Sequence, residues 1–258
     1  MDYELPPELT VEEDGPVRIV TLNRPDALNA FNETLHDAVH RVWDQIANDD
    51  DARTVVLTGA GKAFSAGGDI PWFQRNAEDL WYKRKGNRNA AALIDEMLRF
   101  HLPVIAAVNG PAVGLGCSVA VMSDIVILAE DTFLSDPHVH VGLVAADGGA
   151  IHWPLSMGLL RAKEFLLTGD KIPAADAVQF GLANRAVPRD QVLSDALALA
   201  HRIAGLPPQA VQDTKRALNL HAQQAMRTVG PFAFAAQNES FVTGAVQDAV
   251  AEFKNKKA

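Results

Sequence analysis

A chain of 258 residues, 48% hydrophobic and 21% charged, holds enough apolar material for one sizeable core with a small satellite. Its formal charge of -9 argues against nucleic acid or an anionic membrane as a partner, because both demand a clustered basic face. Cys117 is the single cysteine, which excludes an intrachain disulfide or a cysteine-based metal cluster and fits a reducing compartment.

The opening MDYELPPEL carries acids and prolines where a signal peptide needs a basic start and an apolar core. No apolar run reaches the roughly 18 residues that span a bilayer, so the expected location is cytoplasmic. VRIVTL (17–22) then reads as a strand, being β-branched and bounded by polar residues or glycine. Asn32 is a plausible N-cap for a helix in which Leu35, Val39, Val42 and Ile46 recur at helical spacing, and TVVLTG (54–59) closes a strand, helix, strand unit. GAGKAFSAGGDI (59–70) leaves that strand with small residues that let backbone N–H groups face a ligand. It lacks phosphate-loop spacing, because Lys62 comes early and no GK[ST] follows.

The charge-rich WYKRKGNR (81–88) has weak periodicity and reads as a loop. VIAAVNG (104–110) alternates with nothing polar, as expected of a strand covered on both faces, and IVILAE (125–130) is another. Between them NGPAVGLGCSVAVMSD (109–124) leaves a strand through Gly and Pro and enters a helix near Gly114, whose first-turn N–H groups point back at the loop. Two loops can thus aim donors at one oxygen, each worth about 3 to 4 kcal/mol to a developing oxyanion. Glycines after strands also serve as plain turns. Beyond Pro154 the chain is helical: LLRAKEFLLTG, AADAVQFG, residues 191–204, 208–221 and 232–254. The class is α/β, with a mixed core over residues 1–204 and a helical region over 205–258.

Taken in order, LNRPDALNAFN (22–32), VVLTGAGKAFSAGGDI (55–70), AAVNGPAVGLGCSVAVMSDIVI (106–127) and FLLTGDKIPAADAVQFGLANRAV (165–187) resemble the crotonase family, the enoyl-CoA hydratases and isomerases. The resemblance implies a spiral of ββα units, a C-terminal helical trimerisation region, and a homotrimer or a hexamer built as a dimer of trimers. It implies an acyl-CoA thioester substrate, with coenzyme A arriving as part of it and no separate cofactor or metal. Carried over by motif, the oxyanion N–H groups are those of Ala66 and Leu115. Gly67, Gly68 and Asp69 then line the nucleotide and pantetheine channel, and Arg24 is a candidate partner for a CoA phosphate.

Hydratases of the family hold their water with two glutamates, and here those positions are Ser118 and His138. Serine is no base at neutral pH without activation, whereas histidine titrates near pH 6.5. The expectation is therefore that His138 is the base, that Asp147 fixes its tautomer, and that Gly148 and Gly149 let the loop close around them. The plain alternative is a structural histidine beside an ordinary turn. On a strand His140 would share a face with His138. The nine-residue step from His138 to Asp147, with the PH pair and the following WP, looks locally like 6-oxocamphor hydrolase. That likeness brings in Glu239 as a weak further match and C–C bond hydrolysis of a β-diketone or β-keto thioester as an alternative activity. A non-catalytic acyl-CoA-binding protein is the other alternative. Trp72, Phe73, Trp81 and Tyr82 fall where the family builds its acyl pocket, though helix packing explains them equally.

Overall fold

The computed structural model describes residues 3–255. Strand β1 (Leu9–Asp14) and β2 (Val17–Leu22) form an antiparallel hairpin turned at Gly15, whose φ of 57° lies in the left-handed region. Helix α1 (Glu33–Ala47) follows, and the Asn32 side chain accepts the Leu35 N–H at 2.8 Å as the expected N-cap. β3 (Thr54–Gly59) then pairs in parallel with β2. After α2 (Ile70–Glu78) and α3 (Leu80–Arg99), β4 (Val104–Val108) continues the parallel sheet.

β5 (Ala112–Val113) and α4 (Leu115–Val121) lead to β6 (Ile125–Ala129), and β7 (Phe133–Ser135) to α5 (Gly149–Met157) and α6 (Leu159–Thr168). β8 (Ile172–Pro173), α7 (Ala174–Phe180) and β9 (Arg185–Val187) complete two sheets, ordered β1-β2-β3-β4-β6-β9 and β5-β7-β8. The runs β4-β5-α4 and β6-β7-α5 are the strand, strand, helix recurrence expected of the spiral. Helices α8 (Val192–Ala204), α9 (Pro208–Ser240) and α10 (Ala245–Asn255) end the described chain.

The large sheet is apolar on both faces, which explains the uninterrupted hydrophobic runs. One face puts Val56, Ile105, Ala107 and Ile127 under Val192, Ala196 and Ala200 of α8. The other packs Val20, Leu57 and Ala106 in the main core with Leu35, Val39 and Trp43 of α1. Strands covered on both sides are rigid, so the loops leaving the ends of β3 and β4 start from fixed points.

Two expectations change. Residues 81–88 are the first turns of α3, not a loop: Asp79 caps them by accepting the Trp81 and Tyr82 N–H groups at 2.9 and 3.0 Å. Arg84, Lys85 and Arg88 lie exposed, Lys85 pairing with Glu33 at 3.0 Å, whereas Lys83 is buried, and the buried apolar stripe begins only at Leu93. The helix expected to break before residue 232 instead runs 33 residues through Pro231 as α9. Interior proline removes one hydrogen bond, and tertiary packing carries the helix past it. The break comes at Gly244, with φ 89°. α9 packs on α3 and α5, and α10 on α2, so the region after residue 204 closes over the core. Residues 256–258 of that region lie outside the described residues. No helix among the described residues is long and apolar enough to cross a membrane.

Candidate active site

A pocket of about 560 Å³ lies where the β3–α2 loop, the start of α4, the 137–147 segment and helices α2, α3 and α9 converge. Its β3–α2 wall is set by two isolated parallel bridges, Phe31 with Gly68 and Ser65 with Ala112. In the first, Phe31 donates to the Gly67 carbonyl at 2.6 Å and accepts from the Asp69 N–H at 2.9 Å. Bonding to the residues on either side of Gly68 leaves its own N–H turned away from Phe31, with no partner among the described residues.

The Ala66 N–H, expected to be an oxyanion donor, is instead donated to the Leu28 carbonyl at 2.9 Å. Gly68 is therefore the residue of this loop with a donor to offer. Leu115 opens α4 after Gly114, whose φ is 52°, so its N–H is a first-turn donor with no helical acceptor. Ala66, Gly67, Gly68, Gly114 and Leu115 all line the pocket. Gly67 has φ 87°, and a side chain there would meet the Val113 carbonyl at 2.9 Å, so the two loops approach closely only because it is glycine.

His138 and Asp147 come together in the same pocket, His138 Nε2 lying 3.2 Å from Asp147 Oδ2. The orienting partner is a residue the motif reading missed. His138 Nδ1 bonds Asp136, whose carboxyl is fully buried and outside the pocket lining. The expected roles are thus rearranged: Asp136 fixes the ring, and Asp147 is the carboxylate facing the cavity. Ser118 Oγ–H donates to Asp147 Oδ1 at 3.3 Å, so Ser118 supports this carboxylate and does not line the pocket.

Burial alone would push the His138 pKa down, but the charges of Asp136 and Asp147 together hold it well above 6.5. Burial likewise opposes ionisation of Asp147, and the His138 charge and hydrogen bond overcome it, leaving its pKa below the ordinary value. Both shifts favour a charged His138 ring facing an ionised Asp147. Gly148 and Gly149 permit this closeness, since a Cβ on them would lie 2.9 Å from Ser118 Cβ and 2.2 Å from Asp136 Oδ2. One ligand atom from each of Asp136, His138 and Asp147 falls within 4.8 Å of the others, as a metal site would require, but both ring nitrogens are engaged by the carboxylates themselves.

Other expected residues separate. His138 and His140 lie on a short 3-10 turn, not a strand, and His140 Nε2 reaches the Thr168 carbonyl at 2.6 Å. Arg24 is tied to the Ala30 carbonyl and to Asp69, 3.2 Å away, and is not in the lining. Asp69 caps α2 by accepting the Trp72 N–H at 2.9 Å. Trp72 and Phe73 line the pocket, whereas Trp81 is exposed and Tyr82 donates to Glu33 at 3.0 Å. Glu239 is exposed on α9, and it is Gln237, two residues earlier, that reaches the cavity with Phe241. The pattern DPH carried the only sequence signal for Asp136; nothing local marked Gln237, because α9 meets the site from far along the chain.

The sequence profile described as enoyl-CoA hydratase/isomerase matches residues 12–258. A crystal structure of an enoyl-CoA hydratase/isomerase from Mycobacterium paratuberculosis superimposes with TM-score 0.94 at 48% identity, over 97% of this chain and 100% of that one. A short-chain-enoyl-CoA hydratase of Clostridium acetobutylicum is 35% identical over 96% of this chain and 94% of its own. A monofunctional enoyl-CoA isomerase from M. smegmatis is similar with TM-score 0.72 at 29% identity, over 86% of this chain and 99% of that one.

Proposed function

The chain belongs to the enoyl-CoA hydratase/isomerase family, and from that premise we propose that it forms and reprotonates the enolate of an acyl-CoA thioester. The observation that carries the reading is the meeting in one pocket of two unpartnered backbone donors, Gly68 and Leu115, with the Asp147–His138 pair. The thioester oxygen sits between the two N–H groups. Asp147 takes a proton from a carbon conjugated to the carbonyl, the electron pair of that C–H bond moves toward the thioester oxygen, and the two donors hold the resulting charge. Asp147, whose carboxyl proton exchanges with solvent, then delivers a proton to a different carbon of the dienolate. That is a double-bond shift, and atoms and charge balance without a co-reactant.

His138 keeps Asp147 ionised and in place, and Ser118 fixes its second oxygen. Hydration is the weaker activity, because the two glutamates that hold water in hydratases are Ser118 and His138 here. C–C bond hydrolysis rested on the local likeness around residues 137–154, and the relatives described above carry hydratase and isomerase names instead.

The test is binding and proton exchange. Calorimetry with butyryl-CoA should saturate at sub-millimolar ligand, and a 3-enoyl-CoA incubated in D2O should gain deuterium as it is converted to the 2-enoyl form. Asp147→Asn should slow exchange by roughly 100-fold or more, the usual scale for losing a general base. Absence of CoA-thioester binding, or exchange that survives Asp147→Asn, overturns the reading.

A further inference from the structure

The pocket wall built by α2, α3 and α9 is more polar than an alkyl chain would need. Trp72, Phe73 and Phe241 supply apolar surface, but three carboxamides stand among them: Asn76, Asn87 and Gln237. Asn76 and Gln237 are each 6% exposed. Each has its amide nitrogen committed, Asn76 Nδ2 to the Trp72 carbonyl at 2.8 Å and Gln237 Nε2 to the Val144 carbonyl at 3.1 Å. Those bonds dictate which way the amides point, and they leave Asn76 Oδ1 and Gln237 Oε1 without a partner among the described residues. Asn87 completes the set, because its Nδ2 is buried with no hydrogen-bond partner.

A buried donor with nothing to bond is costly, and native structures keep few of them. Asn76, Asn87 and Gln237 line the same cavity from three separate helices, so no local turn or cap accounts for the two unmet acceptors and the one buried, unmet donor they carry. A hydroxyl answers such a set, since it donates to an amide oxygen and, with a turn of the Asn87 side chain that brings its Nδ2 to the cavity, accepts from Asn87. A saturated hydrocarbon would leave all three unpaired inside a closed complex.

Resting on the acyl-CoA reading above, we propose that the acyl group carries an oxygen function, a hydroxyl foremost, remote from the thioester and received by Asn76, Asn87 and Gln237. The aromatic neighbours give the rest of that group an apolar bed, so the substrate class is a bulky oxygenated acyl-CoA and not a plain alkyl one. Such a substrate must be supplied by a reaction that places oxygen on the carbon skeleton before or during thioester formation.

Matched, non-reactive pairs test this: hexanoyl-CoA against 6-hydroxyhexanoyl-CoA, and cyclohexanecarboxyl-CoA against 4-hydroxycyclohexanecarboxyl-CoA, by calorimetry. In at least one pair the hydroxylated ligand should bind 10-fold or more tightly, the scale of discrimination open to a site built to hydrogen-bond a hydroxyl. Asn87→Leu, of similar size and a good helix former, should bring that ratio close to one. If both members of every pair bind equally to the wild type, the proposal is overturned while the acyl-CoA reading stands. If Asn87→Leu weakens both members alike, the amides serve the pantetheine arm common to all the ligands, and the proposal is again overturned. If no thioester binds at all, the acyl-CoA reading itself has failed.

Discussion

His138 donates to one carboxylate at each ring nitrogen, and this changes what pH should do to the protein. An ordinary imidazole titrates near 6.5, but here the charged form is held well above that value and Asp147 is held below its own. These directions favour the competent state, Asp147 ionised beside imidazolium, around neutral pH. We expect kcat/KM to be flat from about pH 6 to 8 and to fall only in acid, where Asp147 protonates. Asp136→Asn keeps a hydrogen-bonding group on Nδ1 but removes a charge, so His138 should drift back toward the ordinary range and a titration should emerge in the pH–rate profile between 6 and 8. A profile unchanged by Asp136→Asn would show that the buried carboxyl does not set the charge of the ring. His152 behaves oppositely. Burial pushes its pKa down to about 4, and its Nδ1 has no partner. Between pH 6.5 and 4 the unfolded chain thus binds a proton that the native one refuses, so stability is complete above 6.5 and declines as pH falls toward 4, by about 3 kcal/mol in all at 1.36 kcal/mol per unit. Urea unfolding at pH 7.5 and 5 should show a smaller acid loss in His152→Phe than in wild type, and equal losses would refute the assignment. The difference between these histidines was hidden in the sequence, because it depends on Asp136 and on how α5, which carries His152, is packed, neither visible as a periodicity. The His138–Asp147 pairing was legible through the family resemblance of the 137–149 segment, whereas the free donor at Gly68 was not, since it follows from the bridge to Phe31.

Helix α5 begins where the active-site loop ends, and its first residue has no room for a side chain. A Cβ on Gly149 would lie 2.2 Å from Asp136 Oδ2 and 2.8 Å from Leu166 Cδ2. Gly149→Ala must push either the carboxyl or α5 aside, so we expect a stability loss of about 1 to 3 kcal/mol and a fall in kcat/KM, read by urea titration and steady-state rates. Native stability with full activity in that variant would mean that the loop is not packed as described. α9 is anchored at the other end of the fold. Lys215 Nζ lies 2.7 Å from both the Leu102 carbonyl and Asp124 Oδ2, and Asp124 Oδ2 also accepts the Val104 N–H that starts β4. Lys215→Met removes the shared donor, leaving the Leu102 carbonyl without it and Asp124 with the Val104 N–H but no countercharge, at a cost of about 1 to 3 kcal/mol. Melting should therefore drop by roughly 2 to 4 °C per kcal/mol in a chain of this length. These elements were unequally readable. β2, β3 and α1 matched their patterns because a two-sided sheet and a one-sided helix impose regular burial. α3 escaped notice because its first two turns carry surface charge, and α9 because Pro231 reads as a stop when neighbouring helices are unseen.

At the scale of the molecule, the surface carries apolar groups that the single chain does not cover. Leu160 on α6 is 83% exposed and Leu167, seven residues on along the same stripe, is 74% exposed, with Leu155 and Leu159 also exposed nearby in sequence. Phe232 on α9 is 77% exposed and Leu218 is exposed as well. Scattered surface leucines need no explanation, but several on consecutive helices of one region mark a contact surface. The chain's net charge of -9 sets a repulsion between copies that such apolar burial has to overcome. We therefore expect a closed homo-oligomer, a trimer or a hexamer of two trimers, at micromolar concentration. Light scattering reads the mass directly, and Leu160→Glu combined with Leu167→Glu should shift it toward the monomer by placing charge in a desolvated contact. Since α9 supplies Gln237 to the pocket, leads directly into Phe241 and also carries Phe232, subunit contact at that helix would steady one wall of the site. The double variant should then lose acyl-CoA affinity as well as mass. A wild-type protein that scatters as a monomer would leave this apolar surface without that role, and a dissociated variant with full affinity would separate assembly from the site.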